Sequence, residues 1–186
     1  MHIFIKMKKD LSRTIEIPED VNVILEDNTL IVKGPEGENK KELRAPQIIF
    51  EKKDNKIIIK SDKRTKKEKK MINTMRAHIE NMVKGVQKKF EYELKICFSH
   101  FPISVEIKEN HAIIKNFLGE KIPRKLKIPQ GVEIKMDKGI ITVTSSDKEL
   151  AGQAAANFEK ATRIRMKDRR IFQDGIFIIN KAGKKI

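Results

Sequence analysis

Residues 18–38 read PEDVNVILEDNTLIVKGPEGE, and residues 102–120 read PISVEIKENHAIIKNFLGE. Both stretches begin with proline, alternate apolar and polar residues, cross a polar turn, and run through a second apolar segment into a Gly-Glu pair. The offset of 82 to 84 positions between them is longer than the roughly 20–50 residues of solenoid repeats. The pattern therefore predicts a duplicated small domain.

The similarity continues downstream of both stretches. LRAPQ at 43–47 matches LKIPQ at 126–130, and KIIIK at 56–60 matches GIITV at 139–143. Apolar residues alternate with polar ones in the first copy (Val21, Val23, Leu25) and in the second (Val105, Ile107). An alternation of period two is typical of half-buried antiparallel strands.

A helical pattern follows each set of strands. In the first copy the apolar residues recur at steps of three and four up to a glycine at 85: Ile72, Met75, Ile79, Met82, Val83 and Val86. In the second copy they follow the polar start SSD at 145–147: Ala151, Ala154, Ala155, Phe158 and Ala161. This spacing predicts two amphipathic helices. Residues 175–179 (GIFII) predict one extra strand.

These patterns predict an α+β protein of two tandem similar domains, each an antiparallel sheet packed against a helix and arisen by internal duplication. We expect a flexible leader over 1–12, the first domain over 13–87, the second over 88–180, and a basic tail over 181–186. The Gly-containing segment 33–37 (KGPEG) lacks the Lys-Ser/Thr ending of a phosphate-binding loop and precedes no helical pattern. It predicts a turn between strands.

The charge indicates a polyanionic partner. The chain has 41 Lys and Arg against 26 Asp and Glu, a formal charge of +15. Six cations lie in the run 63–70, to which we can assign no role. Others flank a turn at 119–125, and nine Lys and Arg face two Asp over 160–186. The candidate RNA-binding residues are Lys121, Arg124, Lys125, Lys127, Arg163, Arg165, Lys167, Arg169, Arg170, Lys181, Lys184 and Lys185.

Catalysis and cofactor binding find no support in the sequence. Cys97 is the single cysteine, and the four histidines lack metal-ligand spacing. We therefore expect no catalytic residue, no metal, no cofactor and no small-molecule substrate. The N-terminus lacks the order of a signal peptide, and no apolar run approaches the ~20 residues of a membrane span. These features favour a cytoplasmic protein without a membrane partner.

The aromatic residues indicate which kind of RNA is bound. The chain has no Trp, one Tyr and nine Phe, most of them inside apolar patterns. A protein that reads unstacked bases carries exposed aromatic side chains. We therefore expect structured RNA held through its backbone and shape.

Four segments, in order, resemble the large-subunit ribosomal protein six family in its archaeal and eukaryotic branch. They are VKGPEG at 32–37, MRAHIENMVKGV at 75–86, NFLGEK at 116–121 and DRRIFQDGI at 168–176. The bacterial branch carries a Tyr-Lys-Gly-Lys-Gly-type stretch late in the second domain, and this chain lacks it.

The resemblance implies a structural constituent of the large ribosomal subunit that binds large-subunit ribosomal RNA and borders neighbouring ribosomal proteins. It further implies that the second domain is the main anchor, near the sarcin–ricin loop where translation factors dock. Two alternatives stay open: an extra-ribosomal RNA-binding protein of the same fold, and a small enzyme that acts on nucleic acid.

Overall fold

The structure is a computed structural model that describes residues 11–26, 29–43, 45, 47–61, 63 and 65–186. The chain divides into two compact units between Gln87 and Lys88. The last two residues of the expected leader over 1–12 lie in a strand. Residues 1–10 lie outside the described residues, but Leu11 and Ser12 pair with Ser61 and Lys60, because the apolar strand that ends at Ser61 has hydrogen-bonding groups along its whole length.

The first unit contains six strands and one long helix. In chain order they are β1 Leu11–Glu16, β2 Asn22–Glu26, β3 Thr29–Gly34, β4 Gly37–Glu42, β5 Ile49–Lys53, β6 Lys56–Ser61 and α1 Lys66–Gln87. The strands form two antiparallel three-stranded sheets, in the orders β2-β3-β4 and β1-β6-β5. Helix α1 contacts both sheets, through β1, β3, β4 and β6.

The predicted helical stripe forms the helix side of this unit's core. Its buried members are Ile72, Ile79, Met82, Val83 and Val86, and Met75 packs against them partly buried. On the sheet side Val21 and Val23 are buried and Leu25 is half-buried. Each sheet therefore covers the apolar stripe of the helix, as the periodicities predict.

The KGPEG segment is the hairpin turn between β3 and β4. Gly34 pairs with Gly37 across it, and the Glu36 amide donates a 2.9 Å hydrogen bond to the Val86 carbonyl at the end of α1. Gly34 lies so close to α1 that an added Cβ would sit 2.8–2.9 Å from Cγ2, Cβ and the carbonyl oxygen of Val86. The glycine is therefore required by packing.

Gly34→Ala should lower the free energy of unfolding of the first unit by about 3 kcal/mol, the upper end of the range for overpacking. Urea denaturation followed by circular dichroism measures the change. The matched control is Gly152→Ala in the second unit, where the nearest atom to an added Cβ is the Tyr92 hydroxyl oxygen at 3.4 Å. An unchanged urea midpoint for Gly34→Ala would show that the end of α1 can shift to accommodate the methyl group without loss of stability.

The second unit repeats this arrangement and extends it. Its elements are β7 Phe90–Cys97, β8 Ser104–Lys108, β9 His111–Lys115, a 3-10 turn at Phe117–Gly119, β10 Arg124–Lys127, β11 Glu133–Asp137, β12 Ile140–Ser145, α2 Lys148–Ala161, β13 Gly175–Lys181 and β14 Lys184–Lys185. The sheet orders are β8-β9-β10 and β11-β12-β7-β13-β14. All pairs are antiparallel.

The two units share one strand order, which confirms the predicted α+β fold of similar halves. Strands β2-β3-β4 correspond to β8-β9-β10, and β5-β6-β1 correspond to β11-β12-β7. The predicted extra strand is β13, which pairs with one edge of β7; among the described residues, no strand pairs with the corresponding edge of β1 in the first unit. The unit that the sequence predicts to be the RNA anchor is therefore the unit with the larger sheet.

Part of the segment expected as a basic tail over 181–186 lies in the sheet. Lys181 ends β13, and Lys184 pairs with it across a two-residue turn of Ala182 and Gly183. Both turn residues have positive φ, 50° and 87°, as a type I′ hairpin turn requires. The Ala182 amide also donates to the Glu91 carbonyl at 2.9 Å. The segment is therefore part of the sheet, because the short turn lets the basic residues pair.

Helix α2 begins where the sequence predicts. The Asp147 side chain accepts a 2.8 Å hydrogen bond from the Glu149 amide, a typical N-cap. The stripe of Ala151, Ala154 and Ala155 is buried, so the helix backbone can approach β7, β12 and β13 closely. Phe158 is fully buried at the C-terminal end of the helix.

Candidate RNA interface

The NFLGEK segment after β9 forms a rigid turn. Asn116 and Leu118 have φ of 60° and 51°, and Gly119 has φ of 75°. Phe117 is buried between them, and the Asn116 side-chain amide donates to the Pro102 carbonyl at 3.1 Å. An added Cβ on Gly119 would sit 3.1 Å from the Phe101 ring. Gly119 therefore combines a left-handed backbone with a close approach to a ring, both of which favour glycine, and the turn presents Lys121 on the surface.

Arg124 contacts three groups inside the unit. Its Nε and Nη2 donate to the two carboxylate oxygens of Glu120 at 2.8 and 2.5 Å, and its Nη1 donates to the Ala161 carbonyl at 2.7 Å. Its guanidinium also lies 4.2 Å from the centre of the Phe117 ring. The side chain therefore satisfies a carbonyl at the C-terminus of α2 and stacks on the aromatic core of the turn.

Arg124 also fixes the charge of its neighbour. The hydrogen bond from Arg124 lowers the pKa of the Glu120 carboxyl, and the positive charges of Arg124 and Lys167 lower it further against the raising effect of burial. Glu120 is therefore ionised at neutral pH. The contribution of Lys167 shows that the turn and the segment after α2 lie within electrostatic reach of each other.

Arg124→Leu should lower the free energy of unfolding of the second unit by about 2 kcal/mol, because it removes charged hydrogen bonds and leaves the Ala161 carbonyl without its donor. Thermal melting followed by circular dichroism measures this. The control is Lys125→Leu, an exposed neighbour for which we expect about 0.5 kcal/mol or less. Equal stability of the two variants would make Arg124 an ordinary surface cation.

The segment between α2 and β13 is folded around buried polar groups. The Thr162 hydroxyl accepts from the Ile176 amide at 2.9 Å and donates to the Phe158 carbonyl at 3.3 Å. Asp174, 6% exposed, accepts from the Ser99 amide at 3.0 Å. At the tip, the Asp168 side chain accepts from the Arg170 amide at 2.9 Å. The Thr162 and Asp174 contacts hold the two ends of the segment on the helix and the sheet, and the Asp168 contact closes the tip on itself.

The cations of this segment point to solvent. Arg163, Arg165, Lys167, Arg169 and Arg170 are all exposed. The Lys167 ammonium lies 4.6 Å from the centre of the Phe172 ring, a cation–π contact that leaves its charge available. A fixed backbone with exposed arginines suits the recognition of phosphate, because the guanidinium can bind two phosphate oxygens at once.

The structure brings together two groups of the candidate RNA-binding residues. The Arg124 bond to Ala161 joins the turn and β10 to the start of the segment after α2, so Lys121 and Lys125 lie at the same end of the unit as the segment. Lys127, at the far end of β10, is exposed, and its carbonyl accepts from Asn157 of α2 at 3.2 Å.

The remaining candidate residues, the lysines of the hairpin between β13 and β14, lie elsewhere on the unit. Lys181, Lys184 and Lys185 are at the far end of β13, and the near end of that strand, Gly175, adjoins Thr162. Seven residues of strand span roughly 20 Å. The hairpin lysines are thus separated from the other candidate residues by the length of the strand.

Sequence reasoning missed a groove beside this basic surface. It has a volume of about 980 Å³ and is lined by the end of β7, the end of α2, the segment after α2, and Phe177 of β13. Phe98 and Phe177 are 51% and 42% exposed. These two rings are therefore exceptions to the placement of most phenylalanines inside apolar patterns, and the expectation of structured RNA stays a prediction. The available signal was the alternation in β13, where Phe177 lies between two inward-facing isoleucines.

Two properties of the described residues bear on other functions. Among residues 11–26, 29–43, 45, 47–61, 63 and 65–186, no group of three or more His, Cys, Asp or Glu side chains is placed to hold a metal ion. Within the same part of the chain, neither helix combines the length and the apolar character needed to cross a bilayer.

Comparisons with known proteins agree with the duplicated frame. The family model described as Ribosomal protein L6 matches twice, over residues 17–89 and 101–175. The proteins named large ribosomal subunit protein uL6 from three archaea are similar over nearly the whole chain. The Methanococcus vannielii protein is 44% identical over 91% of this chain and 93% of its own length. Those of Methanobrevibacter smithii and Methanothrix thermoacetophila are each 42% identical, over 90% and 94% of this chain and 94% and 99% of their own lengths.

The double match and the archaeal relatives confirm the family, the branch and the internal duplication that the four sequence segments indicated. The chain belongs to the ribosomal protein L6 family.

Proposed function

We propose that this chain is a structural protein of the large ribosomal subunit in the cytoplasm, and that its second unit binds large-subunit ribosomal RNA. The observation that carries the proposal is the joined basic surface at one end of that unit. There, the contact of Arg124 with Ala161 holds the turn that bears Lys121 beside the arginine-bearing segment after α2. The names of the archaeal relatives support the assignment to the large subunit.

The residues of this surface divide into two roles. The exposed cations Lys121, Lys125 and those of the segment 163–170 bind phosphates, because their charges face solvent. Arg124 acts as a positioning residue, because its guanidinium is committed to Glu120, Ala161 and the Phe117 ring. Lys127 and the hairpin lysines contribute at the margin of the contact or to a separate contact along the RNA.

The family resemblance supports the finer assignment. It implies a place near the sarcin–ricin loop and the site of translation factors, with ribosomal proteins as neighbours. Chemical footprinting of large subunits with and without the chain tests this directly. We expect protection to be concentrated at that loop and its adjoining helices, and protection confined to distant RNA would contradict the location.

Sedimentation of a cell lysate tests the function itself. We expect the chain to co-sediment with large subunits and to be released by concentrated salt, because its contacts are largely ionic. Small-subunit proteins probed in the same gradient serve as a control for the spread of other ribosomal material into the large-subunit fractions. A chain found mainly in the soluble pool, bound to other RNA, would instead indicate the extra-ribosomal alternative.

A further inference from the structure

The groove of the second unit combines flat apolar surfaces with cations. Phe98, Phe172, Phe177 and Ile164 line it, and two of the rings are about half exposed. The exposed cations Lys160, Arg163 and Arg169 also line it, against the carboxylates of Glu159 and Asp174. Asp174 is buried and accepts the Ser99 amide. The charge that remains toward solvent is therefore predominantly positive.

The position of the Phe177 ring is built into the backbone. An added Cβ on Gly175 would sit 3.0 Å from Cζ of Phe177, so the ring lies back over the glycine toward Thr162 at the groove. Gly175 itself is buried and its strand is fixed to Cys97 of β7. Because Gly175 has no side chain, the Phe177 ring can occupy the space above it at the wall of the groove.

We propose that this groove receives one unpaired base of the bound RNA, which stacks on Phe98 and Phe177 while Arg163 and Arg169 contact its flanking phosphates. The inference rests on the proposed function, because the same segment supplies the phosphate-binding surface. The volume of about 980 Å³ lies within the range of sites for small organic ligands, so a base with its sugar fits. Stacking on aromatic rings beside Arg is how proteins hold unstacked bases.

An apolar protein segment is the competing occupant, and the charge argues against it. A groove for such a segment would have an apolar rim, whereas Arg163 and Arg169 are exposed at this one. A single nucleotide supplies both a flat apolar face, which is its base, and an anion, which is its phosphate. The two occupants also respond differently when the phenylalanines of the groove are replaced by leucine. Leucine keeps the apolar contact that a protein segment needs, but it removes the flat ring on which a base stacks.

The test uses the full chain and two RNA hairpins of equal length, one fully paired and one with a single bulged 2-aminopurine, at one low salt concentration. We expect the bulged hairpin to bind about tenfold more tightly, the effect of one stacked base. In the double variant Phe98→Leu with Phe177→Leu the ratio should fall to about one, with the affinity for the paired hairpin unchanged. The control Phe50→Leu, a half-buried ring on β5 of the first unit, should keep the tenfold preference.

Each other outcome overturns the proposal. Equal binding of both hairpins by the unmodified chain would leave the proposed function intact and remove the base site. A preference that survives in the double leucine variant would mean that the Phe98 and Phe177 rings do not hold the base. Failure of both hairpins to bind would overturn the proposed function and the base site together. Thermal melting of the double variant checks that its loss of preference for the bulged hairpin does not result from unfolding.

Discussion

Neutralising the four arginines of the segment after α2 should weaken binding of large-subunit ribosomal RNA about 100-fold at 0.1 M salt. The variant replaces with glutamine Arg163, Arg165, Arg169 and Arg170. Each phosphate contact contributes roughly 0.7–0.9 to the slope of log K against log salt, so the loss of most of the four contacts flattens that slope by two or more. The fold should persist, because all four side chains are exposed and the hydrogen bonds of Asp168 at the tip use backbone amides. The variant also removes the 3.6 Å ion pair between Arg170 and Asp168, but this pair is exposed to solvent and contributes little to stability.

A matched control removes the same charge from the other unit. Lys66, Lys67, Lys69 and Lys70 are exposed on the first turns of α1, in the basic run to which the sequence assigned no role. Their replacement by glutamine changes the formal charge by the same amount, and we expect the slope to fall by about one at most. Equal slopes in the two variants would show that net charge, rather than a site on the second unit, governs the affinity.

The double change Lys121→Glu with Lys125→Glu should sharply reduce incorporation into large subunits and leave the isolated protein folded. Both side chains are exposed, and reversal adds repulsion from phosphate to the loss of attraction. We expect the free energy of unfolding to change by about 1 kcal/mol or less, as for most surface substitutions. Circular dichroism melting and subunit sedimentation, run on one preparation, separate the two effects.

The choice of Lys125 instead of Arg124 follows from the contacts of the arginine. The sequence places both residues among the surface cations, but a glutamate at 124 would face Glu120 and the Ala161 carbonyl. Poor incorporation of an Arg124→Glu variant into large subunits could then result from unfolding instead of a lost RNA contact. The control is Lys95→Glu with Lys135→Glu, which makes the same charge change at exposed positions of the five-stranded sheet. Normal incorporation of a folded Lys121/Lys125 variant would remove the turn from the RNA site.

The sequence by itself determined the architecture. Alternation of period two and the three-to-four spacing are local properties, because they follow from the geometry of a strand and of a helix. Their repetition at an offset of more than 80 residues therefore predicted two similar units, and the structure has the same strand order in both. Composition likewise located the excess of positive charge, since charge is a sum over residues and needs no knowledge of their contacts.

Only the tertiary structure decided what the individual residues of the site do. Sequence reasoning ranked Arg124 with its neighbouring lysines, because the partner that commits its guanidinium, Ala161, lies 37 positions away. It also placed most phenylalanines inside apolar patterns, although Phe98 and Phe177 are exposed and line a basic groove. Exposure and hydrogen bonding depend on which distant segments the fold brings together, and a one-dimensional pattern carries no information on those pairings.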